Sequence, residues 1–126
     1  MTPSYERRLN VHEISVALGL LEGVESAARE QGIARVRAVH VRIGALSGVV
    51  RDALQFSWDA VTAETLCEGS ELRVETVPLV VYCERCGGQR APRPGCGLLC
   101  PECGNVAPSI VRGREMEVVA MEVIDE

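Results

Sequence analysis

The spacing of apolar residues predicts two amphipathic helices in the first half of the chain. Between residues 12 and 31, apolar side chains recur at steps of three and four, the period of one helix face: Ile14, Leu18, Leu21 and Val24. Gly32 follows as a natural end, because glycine readily adopts the left-handed conformation that terminates helices. A second helix is predicted at about 50–64, with an apolar stripe formed by Leu54, Trp58 and Val61.

Alternation of apolar and polar residues predicts strands. Residues 35–43 and 71–77 alternate along their length, as strands with one buried face do. The apolar run at 79–82 and the segment at 115–124 are also typical of strands. Two strands rarely make a stable sheet, so we expect the last strand to return to the sheet formed by the first two. The residues between them would then be an insertion.

Two Cys-x-x-Cys pairs lie in that insertion: Cys83, Cys86, Cys100 and Cys103. Each pair places two sulfurs on one tight turn, and two such turns facing each other make the closed, tetrahedral site of structural zinc. Iron is the alternative metal, as in a rubredoxin-like electron carrier, because it also accepts four thiolates. Two redox-active pairs are a weaker alternative, because a thioredoxin-like motif normally occurs once and precedes a helix.

The combined pattern predicts the α+β fold class, as a three-stranded sheet with two helices plus an inserted zinc-ribbon module. We expect an α/β domain made of 11–80 with 113–124, a zinc-binding domain at 81–112, and a leader at 1–10. Cys96 lies close enough to the second pair to compete for zinc, but we interpret it as a spare loop thiol.

The remaining chemistry-bearing residues have ordinary interpretations. Cys67 is expected to be a small residue packed at a turn. His40, on the polar side of the first predicted strand, is expected to be a surface or partly buried residue without a special role.

Charge and hydropathy limit the classes of partner and the cellular locations that are expected for this chain. The 126 residues include 18 acidic and 13 basic side chains, a net charge of −5. Nucleic-acid binders need a basic face, so we expect no nucleic-acid partner, although a zinc-ribbon module for protein or nucleic-acid interaction stays open as an alternative function. No apolar run is long enough to span a bilayer, and residues 1–10 lack the apolar stretch of a signal peptide. We therefore expect a cytoplasmic protein with reduced cysteines and no membrane partner.

The pair His12-Glu13 stands at the start of the first predicted helix. On pattern alone it is weak evidence of a site, since an acidic residue there often only complements the helix dipole. In combination with other segments it is more specific. VHEISVA at 11–17, IGALSGV at 43–49, EGSEL at 68–72 and the two cysteine pairs, in that order, resemble the HypA family across nearly the whole chain.

The resemblance implies a nickel metallochaperone for NiFe hydrogenase maturation, and not an enzyme. It implies a structural zinc at Cys83, Cys86, Cys100 and Cys103, and a separate nickel site at His12 and Glu13 that uses nearby main-chain nitrogens. Imidazole and deprotonated amide nitrogens suit the planar geometry of Ni(II). The implied partners are a HypB-type GTPase and the hydrogenase large subunit. A homodimer stays open.

One departure from the family pattern concerns the start of the motif. The family opens its chain with Met-His-Glu, whereas this sequence has Val11-His12-Glu13 behind ten further residues. A GTG codon is translated as Val inside a gene and as Met when it initiates. We therefore expect the natural chain to begin at residue 11, which would bring the terminal amine next to His12. A second departure, Ala45 where many relatives carry an acidic residue, is given no functional weight.

Overall fold

The computed structural model describes the backbone of residues 3–124 and the side chains of residues 12–124. Within that range the chain forms two α-helices and six strands. In chain order these are α1 (Pro3–Gln31), β1 (Val36–Gly44), a 3-10 turn (Ala45–Ser47), α2 (Arg51–Thr62), β2 (Glu71–Val77), β3 (Val80–Cys83), β4 (Gly88–Arg90), β5 (Ser109–Arg112) and β6 (Met116–Val123).

The first helix is longer than the sequence predicts. It begins at Pro3, so residues 3–10 of the predicted leader continue the helix, while residues 1 and 2 lie outside the described residues. Proline is well suited to the first turn of a helix, because its missing N–H would have no helical partner there. No glycine or proline follows within the leader to stop the helix before His12.

The buried face of α1 differs from the predicted apolar stripe. Leu21 and Val24 are buried as predicted, but Ile14 and Leu18 are 39% and 45% exposed, so this part of the prediction was wrong. The residues that face the core are Glu13, Val16, Ala17, Leu20, Leu21, Val24 and Ala28. This series has a helical period, but it begins with a glutamate and contains two alanines. Hydropathy alone therefore does not identify it as the buried face of the helix.

The main sheet has the strand order β2-β1-β6. The last strand therefore returns to the first two, which confirms the predicted three-stranded sheet with two helices and an inserted module. Val39 and Val41 of β1 are fully buried, as alternation on one face requires. Trp58 of α2 is also fully buried, and its indole Nε1 donates a hydrogen bond to the Ser70 hydroxyl at 3.0 Å.

The second sheet belongs to the insertion and has the order β4-β3-β5, with both pairings antiparallel. Cys83 at the end of β3 pairs with Gly88, so the first cysteine turn is the hairpin between β3 and β4. The fully buried cluster here is small and consists of Val81, Ala107 and two of the cysteines, Cys83 and Cys100. A core this small leaves little apolar surface to hold the insertion together.

Two compact units divide the chain. The helical unit comprises Met1–Arg42, Val49–Glu75 and Glu117–Glu126, and the cysteine unit comprises Ile43–Gly48 and Thr76–Met116. In the described part of the chain, neither α-helix combines the length and the apolar composition that a membrane span requires.

Within the cysteine unit, Gly44 explains part of the motif at 43–49. Its amide donates to the Glu115 carbonyl at 2.7 Å, and the Leu46 amide donates to the Gly113 carbonyl at 2.8 Å. A Cβ atom at position 44 would lie 2.1 Å from the carbonyl carbon of Gly113, so no other residue fits without backbone movement. This glycine is required for the close approach of two backbone segments.

Candidate metal centres

The four paired cysteines lie on two turns with the same local structure. In the first, the Gly87 amide donates to the Cys83 carbonyl at 2.8 Å, and in the second the Gly104 amide donates to the Cys100 carbonyl at 2.9 Å. Both glycines have positive φ angles, 74° and 78°, which other residues adopt at a cost. The sequence therefore builds two matching knuckles, each with two thiols on its inner side.

The sulfur atoms of the two knuckles converge. All four Sγ atoms lie within 4.8 Å of one another. The Sγ atoms of Cys83 and Cys103 are 3.6 Å apart, and those of Cys86 and Cys100 are 3.9 Å apart. A zinc ion with Zn–S bonds of about 2.3 Å requires sulfur–sulfur edges of roughly 3.8 Å in a regular tetrahedron. The donor set and the two short sulfur–sulfur distances therefore fit a four-thiolate metal ion.

The electrostatics within the cluster differ between its members. Backbone hydrogen bonds, first from the Cys103 amide and then from Glu102, lower the pKa of the Cys100 thiol to about 6. Burial is the main cause that raises the pKa of the Cys86 thiol to about 12. Binding of a metal ion to four thiolates would release the protons that the thiols still carry. Arg90 lies against Glu102 beside the cluster, with Nε 3.3 Å from the carboxylate.

The two remaining cysteines lie outside this group. Cys96 is exposed, and Cys67 is fully buried at the turn that precedes β2. Burial raises the pKa of the Cys67 thiol to about 11, so it stays protonated and packs as a small apolar residue. Among the side chains that the structure describes, no other set of three or more histidines, cysteines or carboxylates converges in this way.

The adjacent residues His12 and Glu13 have opposite environments on α1. The His12 side chain is exposed, whereas Glu13 has no exposed surface. The Glu13 Oε2 atom accepts a hydrogen bond from the Val50 amide at 2.7 Å. The other carboxylate oxygen, Oε1, is buried without a hydrogen-bond partner among the described residues. Of the two predicted nickel residues, only His12 has an exposed side chain.

His40 takes part in a contact across the main sheet. Its Nε2 atom lies 2.9 Å from a Glu122 carboxylate oxygen on β6, and the same oxygen accepts a hydrogen bond from Arg73 on β2 at 2.7 Å. The hydrogen bond with His40 is the main cause that lowers the pKa of Glu122. His40 is half-buried, and the Glu122 carboxylate connects it with Arg73, in agreement with its ordinary structural interpretation.

Sequence reasoning missed the role of Glu13 as a buried acceptor and the contact of Gly44 with Gly113. The first had a usable signal, because Glu13 continues the helical period of Val16, Leu20 and Val24. The second had none in the sequence itself, since a glycine between a strand and a turn does not specify which backbone it approaches.

Comparison with known proteins shows the family. The model of a family described as hydrogenase/urease nickel incorporation, metallochaperone, hypA matches residues 11–123. The chain is 47% identical over 116 residues to the hydrogenase maturation factor HypA of Roseiflexus sp. (strain RS-1), covering 92% of this chain and 94% of that one. It is 43% identical over 112 residues to the protein of the same name from Chloroflexus aurantiacus, covering 89% and 98%.

Solved structures show the same fold at lower sequence similarity. The solution structure of the Ni metallochaperone HypA from Helicobacter pylori is similar with a TM-score of 0.66 at 23% identity, covering 90% of this chain and 98% of that chain. The order of motifs, the four-cysteine cluster, the α+β fold and the two sequence comparisons agree. The chain belongs to the HypA family of nickel metallochaperones, whose curated relatives are hydrogenase maturation factors.

Proposed function

We propose that this protein is a nickel-delivery factor in NiFe hydrogenase maturation, which binds Ni(II) at His12 and passes it to the hydrogenase large subunit. The observation that carries the proposal is the exposure of His12 in the family's His-Glu motif, on a helix that is otherwise anchored to the core. One exposed imidazole with few competing side chains suits a donor protein, which must release its cargo as well as bind it.

The remaining nickel ligands in this proposal are main-chain nitrogens near His12, including that of Glu13. In a chain that begins at residue 11, these amides lie in the first helical turn, where N–H groups have no helical acceptor. In the chain with α1 starting at Pro3, the same amides lie within the helix and can donate to carbonyls four residues earlier. The proposal therefore includes a start at residue 11, and the longer form should bind nickel more weakly.

The four-cysteine cluster is assigned a structural zinc ion in this proposal. Four thiolates close the coordination shell, so the site would hold its metal and add folding free energy without taking part in delivery. The zinc-binding domain is placed at 81–112, and the nickel-binding domain at 11–80 with 113–124.

The partners in this proposal are those that the resemblance to the HypA family implies. The sequence contains no Gly-rich phosphate-binding loop, so a GTP-driven step would come from a HypB-type GTPase. This protein is then not itself an enzyme, and it acts in the cytoplasm beside that GTPase and the hydrogenase large subunit. A homodimer is compatible with this role but not required by it.

A nickel titration tests the proposal. The zinc-loaded protein starting at residue 11, with Met in place of Val11, is titrated with Ni(II) beside its His12→Ala variant. The matched control is His40→Ala, because His40 is the only other histidine in the chain. Binding is followed by calorimetry and by the visible absorption of Ni(II), and zinc content is measured in each sample.

The expected result is nickel binding that His12→Ala abolishes and His40→Ala retains, with zinc unchanged in all three proteins. Equal nickel binding by the parent and His12→Ala, or no binding at all, would contradict the proposal. Retention of residues 1–10 in protein purified from its native source would contradict the proposed start.

A further inference from the structure

The carboxylate of Glu13 occupies a position that helix-capping residues normally fill. Val50 precedes α2 as its N-cap residue, and its own side chain makes no capping hydrogen bond. In a capping box, a glutamate three residues into the helix accepts a hydrogen bond from the N-cap amide. Here that amide is bound at 2.7 Å by Glu13, which lies 37 residues earlier on α1.

The negative charge of Glu13 also has a favourable environment there. The amino end of a helix carries a partial positive charge, and α2 has only one acidic residue of its own in the first turn, Asp52. The helix begins immediately beyond the contact, since the Leu54 amide donates to the Val50 carbonyl at 2.9 Å. Glu13 thus replaces a local cap with one supplied from a different helix.

The position of Glu13 along α1 links this contact to the proposed nickel site. Glu13 directly follows His12, and a side chain with no exposed surface allows its backbone little freedom to rotate. We propose that Glu13 is a positioning residue, whose carboxylate binds the Val50 amide and thereby fixes the turn of α1 that presents His12. This inference rests on the proposed nickel-binding function, and it removes the Glu13 side chain from the nickel ligands.

The second carboxylate oxygen of Glu13, Oε1, argues against a role in packing alone, because it is buried without a hydrogen-bond partner among the described residues. Burying a carboxylate oxygen without a hydrogen bond is unfavourable, so an apolar residue at position 13 would suit a purely structural face better. A glutamine can keep the acceptor for Val50 while placing its NH2 group at the unpartnered position. Glu13→Gln is therefore the conservative variant, and Glu13→Ala removes the contact.

The test compares the zinc-loaded protein starting at residue 11, with Met in place of Val11, with its Glu13→Gln and Glu13→Ala variants. Glu22→Ala is the matched control, because Glu22 is an exposed acid on the same helix. Hydrogen exchange of the Val50 amide, measured by NMR, reports the contact directly, since an N-cap amide has no acceptor within its own helix. The heteronuclear NOE of the His12 amide reports the order of the presenting turn, and Ni(II) titration reports affinity and absorption spectrum.

In Glu13→Ala we expect the Val50 amide to lose its protection and the His12 amide to become more mobile. We expect nickel affinity to fall about tenfold or more, as when outer partners of a metal ligand are removed. Glu13→Gln should bind nickel more tightly than Glu13→Ala and with the same spectrum as the parent, because its amide oxygen can still accept from the Val50 amide. Zinc should be retained throughout, and Glu22→Ala should behave as the parent.

Three results would overturn the inference. A changed nickel spectrum in Glu13→Gln, with an affinity as low as in Glu13→Ala, would make the carboxylate a nickel ligand. Unchanged Val50 exchange in Glu13→Ala would remove the contact on which the role depends. A lower melting temperature in Glu13→Ala with unchanged His12 order would make Glu13 purely structural. If the parent binds no nickel at His12, the proposed function fails, while the Val50 and His12 signals still decide the positioning role.

Discussion

The helical unit and the cysteine unit are held together by different means. The helical unit buries aliphatic residues from both helices and the sheet around Trp58, with Leu54 and Val39 also fully buried. The cysteine unit has a fully buried cluster of four residues, and two of them are cysteines of the proposed zinc site. A metal ion can replace a missing core, so we expect the smaller cluster to be sufficient only while a metal ion is bound.

This difference suggests separate roles for two metal-ligating features of the chain, His12 and the four paired cysteines. In the proposed account the thiolates of the cysteine unit have a structural role. The exposed imidazole of His12 lies in the helical unit, whose stability is expected not to depend on a metal. In this account the protein can gain and lose nickel at His12 without unfolding.

The largest expected effect is the loss of a cysteine ligand. In Cys100→Ser the zinc site should be lost, and with it the ordered structure of the cysteine unit, because zinc contributes on the order of 10 kcal/mol to small four-ligand modules. Two-dimensional NMR and zinc analysis would measure both. Cys96→Ser is the control and should retain zinc, since Cys96 is exposed and lies outside the cluster.

Trp58 allows the helical unit to be followed separately in Cys100→Ser, because it is the only tryptophan of the chain and lies in that unit. Its fluorescence should be unchanged in Cys100→Ser. A shift of its emission toward that of an exposed indole would show that the two units fold as one, against the comparison drawn above.

Truncation of the aliphatic core should give the opposite pattern. Leu54 is fully buried in α2, so Leu54→Ala should lower the free energy of unfolding of the helical unit by about 2–5 kcal/mol. Urea unfolding followed by Trp58 fluorescence measures this, with zinc content unchanged. Phe56→Ala is the control on the same helix and should be nearly neutral, because Phe56 is 77% exposed. Zinc release by Leu54→Ala at low urea would contradict the separation.

The close backbone contact in the cysteine unit can be tested by adding a single methyl group. Gly44→Ala places Cβ against Gly113 and should cost roughly 1–3 kcal/mol or more, the range for overpacking a site that cannot relax. Gly23→Ala is the contrasting control in the helical unit, where a Cβ atom meets nothing within 4 Å. It should raise the free energy of unfolding by about 0.5–1 kcal/mol, because alanine favours the helix. Equal effects of the two variants would contradict the contact.

The smallest expected effect is the pH dependence of the Glu122 contacts. The hydrogen bond with His40, aided by Arg73, lowers the pKa of Glu122 in the folded protein. A lowered carboxyl pKa stabilises the folded state above the ordinary carboxyl pKa of about 4.3, and this contribution is lost as the pH falls through the lower, folded value. Glu122→Gln should therefore lower the urea midpoint of the helical unit at pH 7 and have no effect below the folded pKa.

Trp58 fluorescence again supplies the measurement for that prediction, since zinc loss in acid does not affect it in this account. Glu22→Gln, at an exposed position of α1, should show neither effect. A difference between Glu122→Gln and the parent that persists at low pH would point to packing and not to charge.

Much of the fold could be predicted from the sequence because its patterns are local. The alternation at 35–43 and 71–77 corresponds to β1 and β2. Because two strands rarely form a stable sheet, the last segment was correctly predicted to pair in the same sheet. The cysteine spacing alone identified the four residues that converge. Short ligand spacings constrain a metal site more tightly than hydropathy constrains a helix face.

The errors concern residues whose positions are determined by contacts with distant parts of the chain. Ile14 and Leu18 were assigned to the core because they are apolar, whereas the helix turns Glu13 inward instead. A buried carboxylate needs a specific hydrogen-bond donor. For Glu13 this donor is the Val50 amide, which lies in a distant segment of the chain that periodicity cannot reveal. The partner of Gly44 was equally invisible, because it is a backbone segment about 70 residues away in the chain.

X-ray absorption at both metal edges is the most direct test of the central claim, which is that the chain keeps a structural metal and a cargo metal in separate sites. The sample is the protein starting at residue 11, loaded with one equivalent each of zinc and nickel. The zinc edge should show four sulfur neighbours at about 2.3 Å, and the nickel edge should show only nitrogen and oxygen. Sulfur in the nickel shell, or zinc displaced when nickel is added, would contradict the account.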